Sequence, residues 1–328
     1  MLTEPGRIAM ADWPEPSAGP HDVVVAPRSV GLCGTDLALF DGKRVVPELP
    51  WVMGHEGAGD IVAVGDEVSD RRVGQRVVIE PNFCCFTCEH CKGGRTSACP
   101  HRRIVGVNHP GLLAERVSVP AEFTWPVPAT WSDGRLACIE PLAVARSAVR
   151  RSGVRPPDSC LVIGAGSQGL LVCQALLAIG AQPCVVEPHA GRLALAERLG
   201  ARALEPDRLD VADFHVVFET SGAAAAWQVA LDSVAATGTA VVIGMGAETV
   251  RLSTADLVRR QLTLTGALIY DHPRDFAQTI AAVTAEQLTP EDVVGAYFRP
   301  DDAAEAFTQA RTVAGKSVLS LADWRGTR

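Results

Sequence analysis

The chain has 328 residues, a formal net charge of −8 and a pI near 5.5. This acidic balance argues against a nucleic-acid partner, which would require a basic surface. The N-terminus has no basic stretch followed by an apolar run, and we find no apolar run of about 18 residues, so we expect neither a signal peptide nor a membrane partner. We therefore expect a cytoplasmic protein of up to two domains, in which ten cysteines favour metal ligands over disulfides.

The first third of the chain predicts short β-strands separated by glycine and proline. Strands are expected at residues 21–26, 54–64 and 73–79, and a loop at 31–36 follows the first of them. Short strands at this spacing are typical of a small β-barrel domain.

Three potential metal ligands accompany these strands. Cys33 lies in the predicted loop, and His55 and Glu56 follow 22 residues later. A buried cysteine or a hydrogen-bonded histidine alone is common in protein cores. A thiolate, an imidazole and a carboxylate together can form a zinc site that leaves one coordination position open for substrate.

Four cysteines form the strongest local motif. Their spacing is C-x2-C-x2-C-x7-C, at Cys85, Cys88, Cys91 and Cys99. Four thiolates fill a tetrahedral zinc site completely, which predicts a structural zinc with no position for substrate. The alternatives are an iron–sulfur or redox cluster, or a zinc ribbon that binds nucleic acid, which the acidic net charge disfavours. Cys84 is a fifth thiol that we expect to be a bystander.

Two further segments contain polar residues in informative places. Asn108 and His109 lie where a pocket wall is expected, although an exposed loop histidine is the simpler interpretation. Glu140 lies in an apolar helix predicted over 137–145. Its charge requires a partner, either a metal or metal-bound water, or the dipole of the helix N-terminus.

The second half of the chain contains a glycine-rich loop between a strand and a helix. A strand at 159–163 is followed by G-x-G-x-x-G at 164–169, a helix at 170–179 and a strand at 183–187. This context predicts a dinucleotide site with the pyrophosphate at the helix N-terminus. The expected contacts in this segment are Gly164, Gly166, Gln168, Gly169 and Glu187.

Glu187 also bears on the choice of cofactor. It lies 18 residues beyond Gly169, the spacing at which a carboxylate binds the adenosine ribose hydroxyls. A carboxylate there repels a 2′-phosphate, which favours NAD over NADP. His189 and Arg192 are close enough in sequence to weaken that preference, although Arg192 is equally typical of a helix surface.

Strands and helices continue to alternate beyond this segment. Strands are predicted at 213–218, 239–243 and 262–268, and a helix at 223–234, which indicates an α/β fold with a doubly wound parallel sheet. Ligands bind at the carboxyl ends of such strands, so Thr220, Gly244 and Leu268 are expected at the cofactor. Residues 273–328 predict helix, strand, helix and strand, a tail that must pack onto the preceding domains.

With these motifs identified, the chain resembles the zinc-dependent medium-chain dehydrogenase/reductase family, the alcohol dehydrogenase superfamily. The resemblance is greatest to the polyol (sorbitol-type) dehydrogenases, because Glu140 stands where classical alcohol dehydrogenases have a cysteine. The matching motifs are Gly-Leu-Cys33-Gly-Thr-Asp, Gly-His55-Glu56, the four-cysteine segment, Glu140-Pro-Leu-Ala, the glycine-rich loop and Gly315-Lys316.

The resemblance implies a fold and two metal sites. A GroES-like β-barrel catalytic domain, residues 1–143 with 283–328, would include a structural zinc lobe at 84–100 and enclose a Rossmann domain at 144–282. The catalytic zinc would be held by Cys33 and His55, with either Glu56 or Glu140 as the third ligand. Each chain would thus bind two zinc ions and form a homodimer or homotetramer.

The resemblance also implies a reaction. Hydride would pass between NAD(P) and a secondary alcohol or ketone, with zinc as the Lewis acid and Thr35 accepting the hydroxyl proton. Many members relay this proton through a histidine five residues after the zinc cysteine, where this chain has Ala38. The alternatives are a threonine 3-dehydrogenase-like amino-alcohol dehydrogenase, a zinc-free quinone or enoyl reductase, and a non-catalytic protein that binds zinc and a dinucleotide.

Overall fold

The computed structural model describes residues 1–204, 209, 214–322 and 324. The chain divides into two compact units, Met1–Glu140 with Val294–Arg328, and Pro141–Val293. Asp213, the first residue of the predicted strand 213–218, lies outside the described residues. The remaining predicted strands correspond to strands of the structure, with ends that differ by a few residues.

The first unit is built on a mainly antiparallel sheet. Valine and isoleucine at Val23, Val25, Ile61 and Val77 have at most 1% of their surface exposed and form its core. In the described part of the unit, the main sheet has the order β16-β17-β3-β4-β5-β9, with β8 paired to β3, and β1-β2 and β6-β7 form separate pairs. The strands are β1 Leu2–Glu4, β2 Arg7–Ile8, β3 Asp22–Gly31, β4 Glu56–Val64, β5 Arg76–Ile79, β6 Asn82–Phe83, β7 Arg103–Ile104, β8 Val117–Pro120, β9 Thr124–Pro126, β16 Val294–Phe298 and β17 Lys316–Ser320.

Short helices connect these strands. They are α1 Gly34–Phe40, α2 Glu89–Lys92 and α9 Ala303–Gln309. The predicted loop at 31–36 is therefore wrong in its second half, because Thr35 and Asp36 lie in α1. The Asp36 carboxylate accepts a hydrogen bond from the backbone N–H of Cys33 (3.0 Å), which caps the helix and allows it to begin directly after the strand.

Helix α3 covers Asp133–Ser152 and contains Pro141. It begins four residues before the predicted helix, so Glu140 lies two turns inside it rather than in its first turn. An interaction of Glu140 with the dipole of the helix N-terminus is therefore excluded, since that effect is confined to the first turn.

None of the described helices is long and apolar enough to cross a membrane.

The second unit is a parallel sheet with interleaved helices, which confirms the predicted α/β class. In its described residues the strand order is β12-β11-β10-β13-β14-β15, and every neighbouring pair is parallel. This is the doubly wound order: successive strands are added on one side of β10 as far as β12, and then on its other side from β13 to β15. The strands are β10 Cys160–Ile163, β11 Pro183–Val186, β12 Arg202–Leu204, β13 Phe214–Glu219, β14 Val234–Val242 and β15 Thr263–Gly266, and the helices are α4 Ser167–Ala178, α5 Ala190–Arg198, α6 Ala224–Ser233, α7 Thr254–Arg259 and α8 Arg274–Thr284.

Candidate metal and dinucleotide sites

Strand register brings the three predicted zinc ligands of the first unit together. Gly31 at the end of β3 pairs with Glu56 at the start of β4, so the residues just outside the two strands, Cys33 and His55, become neighbours. The ligand atoms of Cys33, His55 and Glu56 all lie within 4.8 Å of one another. His55 and Glu56 are buried and Cys33 is half-buried.

Asp36 holds the imidazole of His55 in place. It is fully buried, and its Oδ1 lies 3.3 Å from His55 Nδ1 and accepts the N–H of Gly54 (3.2 Å). Burial opposes a charge on His55, but the charges of Asp36 and Cys33 outweigh burial and raise the pKa of His55 well above its usual value. With Nδ1 fixed in this way, Nε2 of the ring is the nitrogen available to a metal.

Glu56 is paired with Lys316, the first residue of β17. The ammonium and carboxylate groups are in contact, and the two side chains are 1% and 2% exposed. Burial alone would lower the pKa of Lys316, but the charges of Glu56 and Cys33 outweigh it and raise that pKa. Gly31 leaves the space for this pair, because a Cβ there would lie 2.8 Å from both Glu56 Oε2 and Lys316 Cε.

Replacing Lys316 with methionine is expected to lower the free energy of unfolding by about 3–5 kcal/mol, because Glu56 would remain buried without its cation. Urea unfolding of the zinc-free proteins, in which Lys316 is the cation paired with Glu56, measures this change. Lys92→Met is the matched control: its ion pair with Glu89 is exposed (62% and 91%), so a change of at most about 0.5 kcal/mol is expected. Equal, small effects of both substitutions would contradict a stabilising role for the buried pair.

The structure places the other predicted residues of the first unit in different surroundings. Thr35 is half-buried in the first turn of α1, and its hydroxyl has no hydrogen bond to another described residue. Glu140 is buried (4% exposed) but does not belong to the group formed by Cys33, His55 and Glu56. His109 does line a pocket, a cavity of about 200 Å³ that also contacts Trp13.

Asn108 stabilises the turn before His109. Its Oδ1 accepts the N–H of Ile104 (2.5 Å), and its Nδ2 donates to the carbonyl of Arg102 (3.4 Å). These bonds use both ends of the side chain within the turn. Asn108 therefore orders the loop and does not line the cavity that His109 contacts.

The four cysteines of the 84–100 segment form a second group of ligand atoms. All four sulfurs lie within 4.8 Å of one another, and the closer pairs are separated by 3.5 Å, 3.6 Å and 4.0 Å. Zinc–sulfur bonds of about 2.3 Å in a tetrahedron place sulfurs about 3.8 Å apart, so this geometry fits a zinc ion. The pair β6-β7 closes the base of the segment. The sulfurs belong to Cys85, Cys88, Cys91 and Cys99.

The fifth thiol, Cys84, differs from these four. Burial raises the pKa of Cys84 to about 11, which keeps it a neutral thiol. Hydrogen bonds from the Thr87 hydroxyl and from backbone N–H groups lower the pKa of Cys85 to about 5, which favours the thiolate that a metal requires. Cys84 does not belong to the four-sulfur group.

The glycine-rich loop of the second unit connects β10 to α4. A Cβ at Gly169 would lie 1.9 Å from the carbonyl oxygen of Gly164, so the helix can approach the loop this closely only with glycine. A Cβ at Gly166 would meet no atom within 4 Å, which leaves the loop open on that side. Gln168 follows in the first turn of α4, where N–H groups without helical partners favour a phosphate. This arrangement fits a dinucleotide pyrophosphate.

Glu187, just after β11, contacts the same loop. Glu187 is 6% exposed, and its carboxylate accepts the N–H groups of Ala165 (2.8 Å) and His189 (2.9 Å). Arg192 lies in the first turn of α5, where its N–H donates to the His189 ring (3.4 Å). The loop, Glu187 and Arg192 therefore lie at the same edge of the sheet.

The carboxyl ends of β10, β13, β14 and β15 complete this edge. The Thr220 hydroxyl donates to the carbonyls of Ile163 (2.9 Å) and Gly164 (3.1 Å) and so braces the glycine-rich loop. Gly244 follows β14, and its N–H donates to the carbonyl of Glu219 (3.1 Å). Leu268 follows β15 and is 50% exposed.

Three buried residues at these sites were not among the predicted ligands or cofactor contacts. They are Asp36 behind His55, Lys316 beside Glu56, and Glu219 at the end of β13. In the sequence, each of the three is a charged residue next to a predicted strand or ligand. That position does not reveal which residue each one contacts, because the contacts depend on strand register and loop geometry.

Comparisons with known proteins agree with this arrangement. Residues 19–129 match the alcohol dehydrogenase GroES-like domain, and residues 169–285 match the zinc-binding dehydrogenase domain. Sorbitol dehydrogenase of Mus musculus is 31% identical over 97% of this chain and 94% of its own. D-xylulose reductase A of Aspergillus niger is 29% identical over 96% and 93% of the two chains.

A solved structure extends the likeness to three dimensions. A protein of Sinorhizobium meliloti 1021, described as a zinc-binding dehydrogenase and bound to NADP, aligns with a TM-score of 0.90 and 27% identity over 97% of both chains. The predicted fold class, with its GroES-like and Rossmann parts, and the predicted kind of enzyme are confirmed. The chain belongs to the zinc-dependent medium-chain dehydrogenase/reductase family and is an oxidoreductase that acts on a small molecule with zinc and a nicotinamide dinucleotide.

Proposed function

We propose that this protein transfers hydride between NAD and a secondary alcohol or ketone, with a polyol, sugar or cyclitol as the substrate class. The proposal rests on Cys33, His55 and Glu56, whose ligand atoms all lie within 4.8 Å of one another. Together they offer zinc three protein ligands and leave a fourth coordination position open. The named activities of the sorbitol dehydrogenase and D-xylulose reductase relatives support a polyol.

The two parts of the chain have separate roles in this proposal. Residues 1–143 with 283–328 form the catalytic domain, and residues 144–282 bind the dinucleotide. The catalytic domain holds two zinc ions, one at Cys33 and one in the four-cysteine lobe at 84–100. We assign Glu56 as the third ligand of the catalytic zinc, because its carboxylate lies with Cys33 and His55, and place Glu140 outside the ligand set.

The side chains of the site prepare the reaction in distinct ways. Cys33, His55 and Glu56 would hold a zinc ion that supplies a Lewis acid to the substrate hydroxyl, and residues 144–282 would hold a nicotinamide dinucleotide that supplies the hydride acceptor. Asp36 fixes the ring of His55, and Lys316 balances the charge of Glu56. Thr35 relays the hydroxyl proton, since its own hydroxyl is free of other described partners. With Ala38 in place of a relay histidine, the Thr35 oxygen accepts the substrate proton as the Thr35 hydroxyl proton passes to solvent water.

We assign NAD rather than NADP as the cofactor on account of Glu187. Replacing Glu187 with alanine is expected to raise the affinity for NADPH relative to NADH by about ten-fold, because a carboxylate beside the ribose repels the 2′-phosphate. Fluorescence titration with both reduced cofactors measures the ratio of dissociation constants. Asp158→Ala, a charge change before β10 at the other edge of the sheet, is the control. An unchanged ratio in Glu187→Ala would argue against this assignment.

We further propose that the protein is a cytoplasmic homodimer or homotetramer. Strand β15 is at one end of the sheet order of the described residues and leaves a backbone edge open to pairing. Val258 nearby in the sequence is 72% exposed, which favours burial against a second copy. Light scattering should give a mass of two or four times 34.6 kDa.

A substrate panel tests the proposed activity. NAD reduction is measured with polyols, cyclitols, sugars and amino alcohols, alongside the zinc content of the purified chain. Turnover of a polyol, sugar or cyclitol with two zinc ions per chain is expected. Preference for an amino alcohol would instead indicate a threonine 3-dehydrogenase-like enzyme. One zinc ion and no turnover of any compound would indicate a non-catalytic binding protein.

A further inference from the structure

Glu219 ends β13 with a buried carboxylate whose charge is met by hydrogen-bond donors of one short loop. Glu219 is 2% exposed. Its Oε1 accepts the N–H and hydroxyl of Ser221 (2.7 Å and 2.5 Å) and the N–H of Gly222 (2.9 Å). These oriented donors replace the solvent that burial removes from the carboxylate.

The backbone of Glu219 connects this loop to the next strand. Its carbonyl accepts the N–H groups of Ile243 (2.9 Å) and Gly244 (3.1 Å), which follow β14. The carboxyl ends of β13 and β14 are thereby held together around one acidic residue. Glu219 consequently shapes the sheet edge at which a dinucleotide is proposed to bind.

The charge of Glu219 has no cation beside it. Among the ion pairs of the described residues, none includes Glu219, so dipoles alone stabilise the carboxylate and the loop keeps a net negative charge. In a doubly wound sheet the strands β10, β11 and β12 bind the adenosine half, and β13, β14 and β15 bind the nicotinamide half. The negative charge therefore lies in the nicotinamide half.

Oxidised and reduced nicotinamide differ by one unit of charge, since the oxidised ring is a cation and the reduced ring is neutral. A fixed negative charge in this half binds the cation more tightly and leaves the neutral ring nearly unaffected. We infer that Glu219 is a positioning residue that favours the oxidised cofactor over the reduced one. This inference rests on the proposed dinucleotide function of residues 144–282.

The test compares dissociation constants of the full-length, zinc-loaded protein for NAD⁺, NADH and ADP-ribose. For Glu219→Gln, the ratio of the NAD⁺ constant to the NADH constant is expected to rise about five-fold, as one unit charge near a partly solvated site implies. The affinity for ADP-ribose, which lacks the nicotinamide, is expected to stay within about two-fold of wild type. Thermal melting confirms that the variant is folded.

Ser221 provides a second variant that leaves the buried carboxylate in place. Ser221 is exposed, so Ser221→Lys places a cation beside Glu219 without disturbing the core and is expected to raise the same ratio. Ser221→Ala removes the two hydrogen bonds of the hydroxyl, to Glu219 (2.5 Å) and from the N–H of Ala223 (3.1 Å), but no charge, and should leave the ratio unchanged. If Glu219→Gln fails to fold, the two Ser221 variants alone decide the question.

The outcomes separate the inference from the function on which it rests. Equal weakening of NAD⁺ and NADH in Glu219→Gln, or an unchanged ratio in Ser221→Lys, would show that Glu219 only supports the loop and would overturn the inference. Wild-type protein that binds neither ADP-ribose nor NADH would overturn the proposed dinucleotide function, and the inference with it.

Discussion

Replacing Cys33 with alanine is expected to abolish dehydrogenase turnover, lowering kcat/KM by at least about 10³-fold. The substitution removes one of three ligand groups that lie within 4.8 Å of one another, and two protein ligands do not hold a catalytic zinc. The zinc content should fall from two to one per chain. NADH affinity should be retained, because the glycine-rich loop and Glu187 belong to the other unit of the chain. Steady-state assays, metal analysis and NADH titration measure these quantities.

Cys160→Ala is the matched control for this substitution. Cys160 is also a free thiol and is 1% exposed, but it lies at the start of β10, away from the strand ends where ligands bind. The control should keep both zinc ions and most of the activity. Turnover in Cys33→Ala that equals turnover in the control would refute the catalytic role of Cys33.

Local patterns made much of the molecule predictable from sequence. The four-cysteine segment spans fifteen residues, so its spacing already determines that the sulfurs can meet around one ion. The glycine-rich loop was equally accessible, because the strand before it and the helix after it are largely apolar runs. In the second unit these runs predicted the strand-helix alternation, since buried parallel strands consist of uninterrupted apolar residues.

Contacts between distant segments were not accessible in this way. Glu56 and Lys316 are 260 residues apart, and they meet because β17 and β4 both pair with β3 in particular registers. Register is determined by packing of the whole sheet, which one sequence does not display. Helix α1 was missed because a helix of seven residues that begins with glycine has little propensity of its own, and the Asp36 cap stabilises it.

Replacing Cys99 with alanine is expected to remove the structural zinc and to lower the melting temperature of the protein by about 5–10 °C. Cys99 closes the lobe from the far end of a loop, and its sulfur lies 3.6 Å from that of Cys85. Without the metal, residues 84–100 retain only the short helix α2 and a single 3₁₀ turn as regular structure of their own, apart from the β6-β7 pair at their base. The lobe should therefore open locally, and trypsin should cleave it at the exposed Lys92 and Arg95.

Cys84→Ala distinguishes the loss of a ligand from the loss of any thiol in this lobe. Cys84 is adjacent to Cys85 and is 7% exposed, but its sulfur is outside the four-sulfur group. The control should retain two zinc ions per chain and resist trypsin. Turnover of Cys99→Ala at low temperature should persist, because no residue of the lobe belongs to the group around Cys33. Loss of zinc from both Cys99→Ala and Cys84→Ala, or from neither, would mean that the four sulfurs do not hold the metal. The assignment of a structural zinc to them would then have to be abandoned.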